Sequence, residues 1–273
     1  MPFFDSAGIK IHYHDGGAGE AIILVHGFAS TAEHNWGGTG WIATLSAKYR
    51  VIAPDVRGHG LSDKPDAREA YGYASMGADV IRLMDHLGIK RAILMGYSMG
   101  SSIAIELMLS HPERFRAIVL GGIAYDDGLE DKADRDAIAE AYRADDPAAI
   151  KSPVAKAYRR FAESMPNDLK ALAALIDAER SPFDPARLAA VRMPVLIVVG
   201  TSDGAIGDPE PLAKMIPGAR LVMIEGCDHM TAPADRRFKE AVLEFLGTAP
   251  ARFQHRIVDA WANLVYKYTQ EKR

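Results

Sequence analysis

Hydrophobic and polar positions along the chain divide it into short apolar runs and longer amphipathic stretches. Residues 9–14 and 21–25 are β-favouring runs separated by Asp15-Gly16-Gly17-Ala18-Gly19-Glu20, a pattern that predicts strand, tight turn and strand. A further strand is expected over 49–53, running into Pro54-Asp55 and a loop with Gly58, Gly60 and Ser62. Over 75–87, Met76, Val80, Leu83, Met84 and Leu87 recur at spacings of three and four, which predicts an amphipathic helix ended by Gly88. The apolar run 92–95 leads into Gly96-Tyr97-Ser98-Met99-Gly100, then a buried helix over 101–109 and a strand over 116–120. Buried runs alternating with helices call for a mainly parallel sheet covered on both faces, an α/β fold.

The rhythm changes between Gly122 and Arg192. Segments 131–145, 153–165 and 167–180 read as helices with no strand among them, so a helical lid is expected over 123–192, between core segments 1–122 and 193–247. Strands resume at 195–199 and 220–224, followed by a helix over 233–246. Beyond Thr248, residues Phe253, Ile257, Trp261, Leu264, Val265 and Tyr268 fall on one helical face. A C-terminal helical extension, 248–273, is therefore expected to dock on the body or on a second copy, giving a possible homodimer.

Composition narrows the function classes. The chain has 273 residues, 48% hydrophobic and 25% charged, with 32 Lys+Arg against 36 Asp+Glu for a net charge of −4 and no polybasic segment. That argues against nucleic acid or an acidic membrane surface as partner. No apolar run approaches the roughly 20 residues that cross a bilayer. The start, MPFFDSAGIKIHYHDGG, lacks the basic and apolar regions of a signal peptide, so a cytoplasmic location is the default. The single cysteine can supply neither an internal disulfide nor a thiolate zinc site.

Gly96-Tyr97-Ser98-Met99-Gly100 fits the G-x-S-x-G nucleophile elbow. Alone the pattern is weak, but here it lies between a predicted strand and a predicted helix, where a sharp turn would project the Ser98 hydroxyl. Serine needs a base that is neutral near pH 7. His229, in a loop just after the strand over 220–224, is preferred over His26, His59, His111 and His255. Such a base is oriented by a carboxylate. Asp203, at the carboxyl end of the run over 195–199, is preferred, with Asp126 or Asp127 in reserve and Asp208 and Asp228 weaker. An oxyanion would be met by the N–H groups of Met99 and Phe28.

The chain resembles the α/β-hydrolase family over residues 5–247, particularly its lid-bearing esterase, lactonase and carbon–carbon hydrolase branch. The likeness rests on His26-Gly27-Phe28, the stretch from Asp55 to Ser62, the Ser98 elbow, Gly200-Thr201-Ser202-Asp203 and Asp228-His229. It implies a mostly parallel eight-stranded sheet with helices on both faces and an inserted lid. It also implies a triad of Ser98, Asp203 and His229, an oxyanion hole from Phe28 and Met99, and a structural role for the loop from Asp55 to Ser62. Epoxide and haloalkane hydrolysis fit less well, because the resembling branches place aspartate where this chain has Ser98.

No dinucleotide or Walker fingerprint is present, and His12 and His14 are expected to be exposed strand residues rather than metal ligands; the reading calls for neither cofactor nor metal. The substrate pocket is expected to include Phe28, Trp36, Trp41, Tyr97, Met99 and Met230. Tyr125, Tyr142, Tyr158, Phe161 and Met165 are its lid candidates. These side chains suit a small or medium carboxylic ester. The alternative is a diketone-like ring-cleavage product cut at a carbon–carbon bond, or a lactone; Arg159 and Arg160 are the cations that could serve an acidic substrate. A non-catalytic binding protein on the same fold is the rival class, and intact residues at all three triad positions count against it.

Overall fold

The computed structural model describes residues 2–125, 132–179 and 182–247. Its eight strands are β1 (Phe3–Ser6), β2 (Ile9–Gly17), β3 (Glu20–Val25), β4 (Tyr49–Pro54), β5 (Ala92–Tyr97), β6 (Phe115–Gly121), β7 (Val195–Gly200) and β8 (Arg220–Ile224). They form one sheet in the order β1-β2-β4-β3-β5-β6-β7-β8. The β1–β2 and β2–β4 pairs are antiparallel and every other pair is parallel.

Central strands are apolar at consecutive positions because both faces are covered. Along β5, Ala92 and Leu94 enter one hydrophobic layer while Ile93 and Met95 enter the other. The first layer packs against α2 (Tyr73–His86) and α3 (Met99–Ser110). The second packs against α1 (Trp41–Ser46) and α9 (Arg236–Phe245).

Between β6 and β7 the chain forms the cap: α4 (Lys132–Arg143), α5 (Pro153–Glu163), α6 (Leu169–Asp177) and α7 (Pro185–Ala189). The starts of α5, α6 and α7 follow from side-chain capping. Ser152 accepts from the Ala155 N–H with Pro153 in the first turn, Asp168 accepts from Lys170 and Ala171, and Asp184 accepts from Ala186 ahead of Pro185. The cap has a core of its own, including Ile138, Tyr142, Leu172 and Ile176, which also reaches Ala29 and Phe28 of the body. α8 (Glu210–Met215) joins β7 to β8. The strand β1, α1, α7 and α8 lie outside the elements expected from periodicity, each being too short to display one. The expected C-terminal helix falls on 248–273, outside the described residues.

Candidate active site

Strand β5 ends at Tyr97, α3 begins at Met99, and Ser98 sits between them at φ 52°, ψ −121°. That left-handed conformation is unfavourable for a residue with a Cβ and is kept only where the surroundings enforce it. The Ser98 N–H donates to the Gly121 carbonyl at 2.8 Å, and the Ser98 carbonyl accepts from Ser101 and Ser102. The flanking glycines are dictated by space. A Cβ on Gly96 would run into the backbone of Gly100 and Ser101, and one on Gly100 into Val25 and His26. Close approach of strand, turn and helix therefore explains both glycines of the motif.

Asp203 follows β7 and His229 follows β8, so adjacent parallel strands deliver both to the carboxyl edge of the sheet. His229 Nδ1 lies 2.8 Å from Asp203 Oδ2, and the Asp203 side chain is fully shielded from solvent. The other Asp203 oxygen accepts from the Ala205 N–H. A carboxylate held in this way keeps the proton on Nδ1, leaving Nε2 as the nitrogen able to accept one. Ser98 and His229 line the same cavity, of about 410 Å³. Asp126 and Asp127 lie outside the described residues.

The loop after β3 approaches the elbow from the other side. Its Gly27 N–H donates to Asn35 Oδ1 and its Ala29 N–H to His59 Nε2, so Phe28 is held between two anchored peptides. Met99 opens α3, so its own N–H has no intrahelical partner. His26 and His59 are framework residues. Each accepts a backbone N–H at Nε2, from Val56 and Ala29, and each donates from Nδ1 to a carbonyl, of Gly27 and Arg57. Burial pushes both imidazoles below their ordinary pKa, His59 to about 3.

The expected pocket is corrected in several places. Phe28, Met99, Tyr158, Phe161 and Met230 line the cavity. Trp36 and Trp41 do not: both are fully buried in the layer on the opposite face, where Trp41 packs on Phe238 and donates from Nε1 to the Pro233 carbonyl at 2.8 Å. A π-helical turn, Glu33–Gly37, and then α1 carry the chain there from the loop around Phe28. Tyr97 is outside the lining as well. Its hydroxyl donates to the His229 carbonyl at 2.6 Å while its ring lies against the imidazole, and burial, then the Asp203 charge, keep the phenol protonated. Tyr97 thus positions the His229 loop. Met165, Tyr125 and Tyr142 are absent from the lining, with Tyr142 packed in the cap core against Phe28.

Arg159 is also reassigned, since it is buried within the cap, bonded to Glu163 and to the carbonyls of Ala141 and Ala144. His12, expected at the surface, is buried because Asp55 receives its Nδ1 at 2.8 Å. Among the described residues no cluster of three or more metal-ligand side chains occurs, and no helix is long and apolar enough to cross a membrane.

Cavity residues that sequence reasoning missed include Tyr73, Ser102, Ile123, Ala205 and Ile206. Ser102 was detectable, lying four residues after Ser98 and so one turn along α3. Ile206 has no local signal, because it reaches the cavity only through the path of the loop after Asp203.

A hydroxyl on strained backbone, an imidazole paired with a carboxylate and a helix start thus lie together at one sheet edge, beside one cavity. The model of the alpha/beta hydrolase fold matches residues 20–175, and the chain belongs to that family. Among curated relatives it is 39% identical over 111 residues to an epoxide hydrolase of Caballeronia sordidicola, covering 41% of this chain and 33% of the relative. It is also 39% identical over 121 residues to a 2-hydroxymuconate semialdehyde hydrolase of a Pseudomonas species, covering 44% of this chain and 42% of the relative. Thus the aligned part spans less than half the length of either. A solved structure described as an N-acyl homoserine lactone degrading enzyme superposes with a TM-score of 0.66 at 25% identity, covering 89% of this chain and 99% of its own.

Proposed function

We propose that the chain is a serine hydrolase of neutral carbonyl compounds, with lactones as the leading substrate class. One observation carries this reading: Ser98 and His229, the latter held by Asp203, open onto an apolar cavity with no lysine or arginine among its described lining residues. Such a wall suits an uncharged ring ester with an apolar substituent better than a carboxylate. The solved lactone-degrading enzyme supports the same class. Simple linear esters rank below it.

His229 Nε2 removes the Ser98 proton as Oγ attacks the carbonyl carbon, and the resulting oxyanion is met by the N–H groups of Phe28 and Met99. Collapse of the intermediate breaks the ring carbon–oxygen bond, and His229 returns its proton to the leaving alkoxide. Water, deprotonated by His229, then attacks the acyl-enzyme and releases the hydroxy acid with Ser98 restored. Asp203 holds the imidazole in place throughout. The aspartate nucleophile of the epoxide-opening branch has no counterpart at Ser98, so the relationship to an epoxide hydrolase is read as one of scaffold.

The second reading is cleavage of a carbon–carbon bond between two carbonyl groups, favoured by the likeness to the semialdehyde hydrolase. The same attack would expel a carbanion stabilised as an enolate by the second carbonyl. A panel of acyl lactones, vinylogous diketones with and without a carboxylate, and p-nitrophenyl esters tests the choice. Lactone turnover at least tenfold above the linear esters, abolished in Ser98→Ala, is expected. Preferential turnover of the diketones would put the second reading first. Turnover of linear esters alone, or full activity in a folded Ser98→Ala protein, would overturn both.

A further inference from the structure

We infer that Asn167 is a positioning residue through which seating of the cap completes the oxyanion hole; this rests on the serine-hydrolase reading above. Ala29, immediately after Phe28, has φ 55° although it carries a Cβ, so its backbone must be held in place by its neighbours. Two bonds hold it. Its N–H donates to His59 Nε2 at 3.0 Å, and its carbonyl accepts from Asn167 Nδ2 at 2.7 Å. The first clamp belongs to the body, since His59 is itself tied to the Arg57 carbonyl.

The second clamp belongs to the cap. Asn167 lies in the short connection between α5 and α6, and its Oδ1 accepts the Gly60 N–H at 3.3 Å, so one side chain spans both loops beneath the cap. Helix α5 also supplies Ala157, Tyr158 and Phe161 to the cavity. The Phe28 ring packs against the cap residues Tyr142 and Tyr158, at 6.1 and 6.4 Å between centroids. Moving α5 away from the body would therefore remove the roof over the substrate and release the Ala29 carbonyl together. Relaxation of Ala29 would turn the adjoining Phe28 peptide, whose N–H must aim at the position of the oxyanion. In this arrangement the site is competent only with its cap seated, and the link is made by an amide group that touches no substrate.

The full-length chain with Asn167→Asp, which keeps the acceptor for Gly60 but loses the donor to Ala29, is compared with Asn167→Ala and with Arg159→Leu. The last breaks bonds inside the cap without touching Ala29. Steady-state kinetics on the best substrate are paired with binding of an apolar boronic acid, which mimics the tetrahedral intermediate. Both Asn167 variants should lower kcat about tenfold with KM within about threefold, as expected for a displaced rather than deleted oxyanion donor, and should weaken the boronic acid by the same factor. Arg159→Leu should act mainly on KM. Unchanged kcat in folded Asn167→Asp, the same kinetic pattern in Arg159→Leu, or a kcat loss without weaker boronic acid binding would each overturn the assignment. A fluorophosphonate that fails to label the wild-type chain at Ser98 would instead remove the hydrolase reading, and this inference with it.

Discussion

Two histidine–carboxylate pairs in this molecule have the same geometry and opposite surroundings. His12–Asp55 and His229–Asp203 each bring Nδ1 to within 2.8 Å of a carboxylate oxygen. In the first, both side chains are buried, and Asp55 also accepts N–H bonds from Ala32 and Leu61, so the pair ties β2 to two loops. In the second, only the carboxylate is fully enclosed; the imidazole reaches a cavity that also contains a serine hydroxyl. A histidine–aspartate pair is therefore a structural fastener by default. On the function proposed above, it becomes a base only when the far nitrogen has an outlet and a nucleophile within the same space.

The sharpest way to break this comparison is to disturb the two carboxylates separately. Asp203→Asn should lower kcat by about 10³–10⁴-fold, by losing control of the imidazole tautomer, with a small effect on the unfolding midpoint. Asp55→Ala should do the reverse. It strands the Ala32 and Leu61 N–H groups and removes the carboxylate from His12 Nδ1, and is expected to lower stability by about 3–5 kcal/mol in denaturant titration. Equal loss of activity per folded molecule in both variants would mean that the two pairs are not functionally distinct.

Acid should next reveal the framework histidines through stability. His26 and His59 are held below their ordinary pKa by burial, so between about 6.5 and the folded values the unfolded chain binds protons that the folded chain does not. The His59 contribution is complete above about pH 6.5 and is lost as pH falls toward about 3, and His26, also shifted downward, loses its contribution in the same direction. The expected slope from His59 is about 1.4 kcal/mol per pH unit within that window, with His26 acting in the same direction, measured by chemical denaturation from pH 7 to 4. A flat profile would show that these rings are not confined to their neutral forms.

The smallest effect is expected for Tyr97→Phe. Removing the hydroxyl leaves the His229 carbonyl without its partner and should cost about 1 kcal/mol of stability. Loosening the His229 loop should lower kcat severalfold with little change in KM. If KM rose instead and kcat held, Tyr97 would belong to the substrate wall after all.

Much of the sheet could be read along the chain because its central strands are buried on both faces, which leaves continuous apolar runs such as 92–95 and 195–199. The three longer cap helices were legible because each is long enough to show a helical pattern, whereas Pro185–Ala189 is too short despite the same kind of capped start as Pro153–Glu163. Phe3–Ser6 was not legible, because a short strand at the sheet edge offers too few positions to show alternation. Trp36 and Trp41 were misplaced by adjacency: they follow the loop of His26-Gly27-Phe28 closely, yet the π-helical turn sends them to the far face. Tyr97 neighbours Ser98, but a strand alternates its side chains, and its ring turns beneath the His229 loop.

Residue order alone specified the elbow at Ser98, the strand ends that present Asp203 and His229, and the helical insertion, because turn chemistry and hydrophobic period act over a few neighbouring positions. Which aromatic side chains line the cavity, which arginine is locked inside the cap, and which asparagine reaches across to Ala29 emerged only from the folded chain. Those outcomes depend on contacts between different elements, from Arg159 reaching back to Ala141 within the cap to Asn167 meeting Ala29 from more than a hundred residues away, and no local pattern records the direction in which another segment will turn.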